Sequence, residues 1–110
     1  MPAINIDELL PQMLNAAAGV LKKQWPEVRA YAESEFKKIG QSLLFIQAQT
    51  ASGAMTQKQA QLHLDLQKFA AQNVLLALEG MDILAAEAAI NAALAVIKDA
   101  VNKALGFALL

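Results

Sequence analysis

The sequence predicts an all-α protein: a long antiparallel helical hairpin with a kinked N-terminal arm, completed into a helical bundle by association with further copies. Three observations carry that expectation. Apolar residues recur at spacings of three and four along most of the 110-residue chain, the period of one helix face. Helix-start and helix-stop signals divide the chain into a few long segments. Finally, 56% of the residues are apolar and only 17% charged, against roughly 45–50% apolar in ordinary globular chains. A domain this short has little interior in which to hide so much apolar surface, so part of it is expected to lie against another chain.

The first segment is read as a helix over about residues 6–24. Asn5 and Glu8 have the spacing of a capping box, with Ile4 and Leu9 at the positions of a hydrophobic staple. Pro11 follows, so regular helix could equally start there, where proline is tolerated. Leu10, Met13, Leu14, Ala17, Val20 and Leu21 then form a helical stripe. Pro26 disfavours helical geometry at Trp25. Because Gln24-Trp25-Pro26 reads as too short for a reversal, the junction is expected to be a kink.

A second helix over about 26–52 opens with Glu27 in its first turn, favourable against the helix dipole. Its apolar face is Val28, Ala32, Phe36, Ile39, Leu43 and Ile46. Ser52-Gly53 stops it, with glycine in the position after the cap. Thr56 and Gln59 restart the chain as a second capping box, so residues 52–56 are expected to reverse it.

The third helix is expected over about 57–105. Leu62, Phe69, Leu76, Ile83, Ile90, Ile97 and Ala104 lie seven apart without a gap, accompanied by Leu66, Asn73, Gly80, Glu87, Leu94 and Val101. That is a coiled-coil-like repeat. No proline intervenes, and an unbroken helix of this extent would be about 73 Å long at ~1.5 Å per residue. The alternative is a compact monomeric four-helix bundle turning at Gly80, with Asp82 as a cap. Charge register favours the long helix. If the chain reverses near Ala54, Arg29 meets Glu79, Lys22 and Lys23 meet Glu87, and Asp7 and Glu8 meet Lys98 and Lys103. An apolar tail, 106–110, closes the sequence.

The long helix carries a second apolar face, Val74, Leu75, Leu78, Met81, Ala85, Ala89 and Val96, which one partner helix cannot cover. These residues are the expected oligomer interface. Asn73, Glu87, Asn91 and Lys98, continued by Asn102, form a polar stripe, read as a solvent edge or as a seam that fixes register. Phe107, Leu109 and Leu110 are expected either to pack back on Leu9, Leu10 or Met13 or to dock on a protein partner.

Several functions are excluded or disfavoured. Nine basic and ten acidic residues are spread evenly to a net charge of −1, without the basic face of a nucleic-acid binder. Cysteine is absent, which removes disulfides, thiolate metal sites and a cysteine nucleophile. His63 is the only histidine, and position 60 is Ala where a Glu-x-x-His di-iron motif needs glutamate. No catalytic or cofactor-binding residues are expected. The most apolar stretch, 75–97, carries Glu79, Asp82 and Glu87, each costing about 2.5–3.5 kcal/mol at the centre of a bilayer. The start lacks a signal-peptide pattern, so the expected location is cytoplasmic. The expected function is that of a non-enzymatic structural or interaction oligomer. The alternatives are a membrane-active helical protein and a carboxylate metal bundle formed across a dimer interface by Glu33, Glu35, Glu79 or Glu87.

Overall fold

The structure, a computed structural model, describes residues 4–110. Four helices follow one another: α1 (Ile6–Leu21), α2 (Trp25–Ala51), α3 (Gln57–Leu76) and α4 (Ile83–Leu105), with a 3₁₀ turn at Lys22–Gln24. α1 begins at the expected cap residue, but not as the expected Asn5–Glu8 box: Asn5 Oδ1 accepts the Asp7 N–H at 3.1 Å instead of the Glu8 N–H. Ile4 and Leu9 are both buried, as a staple requires. Pro11 sits inside α1, not at its start, on the exposed side of the helix.

The junction before Pro26 is a reversal, contrary to the expected kink. Lys22 adopts φ +50°, a conformation that L side chains seldom take, and this one residue turns the chain within the 3₁₀ segment. α1 and α2 then run antiparallel. The Ile4 N–H donates to Gln47 Oε1 at 3.4 Å, and the start of α1 crosses α2 at Gly40. A Cβ at Gly40 would stand 3.0 Å from Ile6 Cγ1, so the absence of a side chain admits the close approach.

The second reversal lies where the sequence places it. The Ala54 N–H donates to the Gln49 carbonyl at 2.9 Å and the Gly53 N–H to the Thr50 carbonyl at 3.2 Å, with Gly53 at φ +79°. That is a Schellman stop. Thr56 and Gln59 then cap α3 reciprocally: Gln59 N–H to Thr56 Oγ1 at 3.1 Å, and Thr56 N–H to Gln59 Oε1 at 2.9 Å.

The expected long third helix is not formed. α3 ends at Leu76 and α4 starts at Ile83, so the compact bundle turning at Gly80 is the architecture the chain adopts. The Met81 N–H donates to the Leu78 carbonyl at 3.2 Å, closing a turn in which Gly80 has φ +81°. Asp82 caps α4 through Oδ1, which accepts the Ala85 N–H at 2.7 Å. The overall size agrees: α2, at ~1.5 Å per residue, accounts for the 43 Å long axis, which is far too short for a 73 Å helix.

The helices form a ring in chain order. Each packs on its neighbour in sequence, α1 closes against α4, and α1 and α3 stand diagonally opposite. The core is filled by Met13 from α1, Phe36, Ile39, Leu43 and Ile46 from α2, Leu64 and Leu75 from α3, and Ile90, Ile97 and Val101 from α4. Among the described residues every buried side-chain nitrogen and oxygen has a hydrogen-bond partner.

Candidate functional site

α3 turns two alanines and two leucines inward and leaves three large side chains outside. Ala60, Leu64, Ala71 and Leu75 face the core, whereas Leu62, Leu66 and Phe69 are 61%, 60% and 63% exposed. Asn73 continues the outer row, exposed, and Leu76 ends it, half-buried. These five residues are spaced four, three, four and three apart, which is the step of a coiled-coil seam. The heptad that the sequence assigns to the hairpin core therefore faces out along α3.

The expected oligomer interface is corrected accordingly. Leu75 and Ala89 are fully buried in the chain's own core, Val74, Leu78, Met81 and Ala85 are half-buried, and Val96 alone is exposed. The physical reason is the break at 77–82. It lets α4 fold back beside α3, so that the two stretches of the supposed second face no longer lie on one continuous surface.

α3 and α4 meet along a seam that also receives the tail. Past Gly106, at φ +82°, the chain turns back so that Leu109 is buried and Phe107 and Leu110 are half-buried. Asn102, half-buried, holds the returning backbone. Its Oδ1 accepts the N–H groups of Leu109 and Leu110 at 2.9 and 3.0 Å, and its Nδ2 donates to the Leu110 main-chain oxygen at 3.2 Å. Leu109 and Leu110 line a recess of about 290 Å³ with Leu64 of α3 and Leu94 of α4. A second recess of about 340 Å³ continues from it between Phe69 and Ile90. Leu109 and Leu110 thus pack on their own chain at the α3/α4 seam, while Phe107 lines a separate recess with Leu44 and Met55. The signal for it in the sequence was an asparagine four residues before a glycine and an apolar run.

The polar stripe does not stay together. Asn73, Glu87, Asn91 and Lys98 are exposed. Glu87 and Asn91 flank the larger recess, opposite Asp65 and Lys68 of α3. The interhelical charge pairs expected from the hairpin register do not form. Among the described residues the ion pairs are Lys37–Glu33 at 3.5 Å and Lys38–Glu35 at 3.0 Å, both within α2. Glu35 is buried and Lys38 closes over it; Glu79 lies in the turn before α4. Among the described residues no group of three or more His, Asp or Glu side chains is placed to hold a metal ion. His63 stacks on Phe45 with ring centroids 5.3 Å apart. No helix of the described residues is long and apolar enough to cross a membrane.

The chain matches no protein-family model, no curated protein and no solved structure.

Proposed function

We propose that the protein is a non-enzymatic interaction module acting in the cytoplasm as a helical homo-oligomer, with the outer face of α3 docked on the same face of a second copy. The observation behind this reading is the exposed row Leu62, Leu66, Phe69 and Asn73, which Leu76, half-buried against the core, continues. In heptad terms Leu66 and Asn73 take a positions and Leu62, Phe69 and Leu76 take d positions. The inward residues Leu64 and Ala71 share the f position, directly opposite. A lone asparagine at a is a device by which coiled-coil helices select register and partner number, at some cost in stability. It has that value only against a like helix. The seam holds no charged residue, so identical faces meet without repulsion. Each large side chain fully withdrawn from water supports association by about 1.5–3 kcal/mol.

Light scattering at micromolar concentrations tests the reading. The wild-type protein should run as a dimer or larger, and Leu66→Glu should run as a monomer with unchanged helical circular dichroism. A wild-type monomer throughout, or a Leu66→Glu protein that associates like the wild type, would sink it.

A further inference from the structure

The hydroxyl of Ser42 sits almost out of water without a partner. Ser42 is 7% exposed, yet among the described residues nothing hydrogen-bonds to its side chain. A helical serine commonly bonds back to the carbonyl four residues earlier, as Thr50 Oγ1 does to Ile46 at 2.7 Å. The Ser42 oxygen is instead open to a recess of about 360 Å³ between α2 and α3, which Lys38, Gln41, Phe45, His63 and Gln67 complete. The side chains of Gln41, His63 and Gln67 likewise have no hydrogen-bond partner among the described residues. Phe45 and His63 close one end, their rings 5.3 Å apart, and Phe45 is 47% exposed. Lys38 stands at the other end, about 10 Å along the helix at ~1.5 Å per residue. Its ammonium carries three N–H donors and gives one to the buried Glu35 at 3.0 Å. That bond fixes the charge at the rim and leaves two donors over.

We propose that this α2/α3 recess is a binding site for a small aryl carboxylate, with its ring against Phe45 and His63 and its carboxylate on Ser42 and Lys38. Every polar group in the lining can donate a hydrogen bond, and none of the lining residues is acidic, so the site suits an acceptor. Lys38 makes a carboxylate the favoured acceptor, because hydrogen bonds between ionised groups are roughly twice as strong as neutral ones. The aromatic end suits a planar apolar group, which packs offset or edge-on against the two rings. A short aliphatic spacer joins the two ends of the ligand, and the flexible Lys38 stem takes up the remaining distance. Leu62, Leu66, Phe69 and Asn73 do not line the recess, so ligand binding stands or falls separately from association through the outer face of α3.

The probe is hydrocinnamate, titrated to tens of millimolar into the ¹⁵N-labelled full chain. The amides of Ser42, Phe45, His63 and Gln67 should shift and saturate together. Hydrocinnamamide, with the same ring and no charge, should bind at least about ten-fold more weakly. Ser42→Ala should weaken hydrocinnamate about five-fold or more, because a hydrogen bond to a charged group is lost. The same variant should melt no lower than the wild type, since the hydroxyl removed has no partner in the chain and alanine is the better helix former. Lys38→Gln should bring the acid and the amide to similar affinity. Absence of a saturable shift at these amides overturns the site, and equal binding of acid and amide by the wild type overturns the carboxylate. A Ser42→Ala protein that melts lower, or that binds hydrocinnamate undiminished, removes the hydroxyl from the site and overturns the proposal. Persistent preference for the acid in Lys38→Gln does the same for the ammonium. If that variant loses its helical signal because Glu35 is left unpaired, the acid and amide on the wild type decide the charge by themselves.

Discussion

α3 and α4 carry one continuous apolar heptad and turn it to opposite sides. In α4, once past the exposed Ile83, Ile90, Ile97 and Ala104 are sealed into the core, while in α3 Leu62, Leu66 and Phe69 stand in solvent. The inward face of α3 is half alanine, which lets it lie close to its neighbours while its large side chains are left over. The residues between the helices, 77–82, break the helical phase, so the repeat resumes on another face. A heptad establishes that residues share a side of one helix. It does not say what that side faces, which depends on where the neighbouring helices stand.

Truncating one heptad member on each helix should give the largest contrast between α3 and α4. Ile97→Ala should destabilise the chain by about 2–5 kcal/mol, through lost burial and the cavity left behind. Phe69→Ala, measured where the protein is dilute enough to be monomeric, should stay within about 0.5 kcal/mol. Urea melts of the two variants check it, and similar losses would mean that Phe69 is buried within the single chain. The joint between the helices comes next in size. Gly80→Ala puts a Cβ on a residue at φ +81° and should destabilise by about 1–2 kcal/mol. A helix running through that point would gain about 0.4–1 kcal/mol from the same change, so the sign of the shift in a thermal melt separates the two. A smaller shift, of opposite sign, is expected in α1. Gly19 lies inside α1 with no atom within 4 Å of a new Cβ, and Gly19→Ala should stabilise by about 0.5–1 kcal/mol. A loss in the same assay would place a packing partner over that part of α1.

The features that could be read without coordinates are those settled by a few adjacent residues. The Asn5 cap, the Schellman stop at Gly53 and the Thr56–Gln59 box all close local hydrogen bonds, and all lie where the sequence places them. Gly80 was ambiguous because helix interior and turn differ by only about 1 kcal/mol there, so packing elsewhere decides. The reversal at Lys22 ran against local preference, since a lysine at positive φ costs of order 1–3 kcal/mol and persists only because the packing of α1 on α2 over-determines it. Charge register misled for a related reason. Exposed ion pairs contribute about 0–1 kcal/mol, too little to choose an architecture. At the candidate sites, the apolar character of 62–76 and of the tail was legible. The outward direction of the first, and the return of the second onto Asn102, depend on tertiary neighbours that no local pattern encodes.

The first and third reversals of the chain are tied together by a single side chain. Gln24 Nε2 donates to the Gly80 carbonyl at 2.7 Å, across 56 residues of chain, and so fastens the first reversal to the third. The other helix contacts join neighbours in sequence, except where α1 meets α4 and α2 touches α4 across the ring. The most extensive of all is α1 on α4, between the two ends of the chain, while the contacts between sequence neighbours lose little loop entropy as they form. Even the long closure is inexpensive, since its entropy grows only with the logarithm of loop length. The three tight connections can therefore zip up as separate hairpins, and the docking of α1 onto α4 converts them into one cooperative unit. Gln24 sits where that last gap shuts.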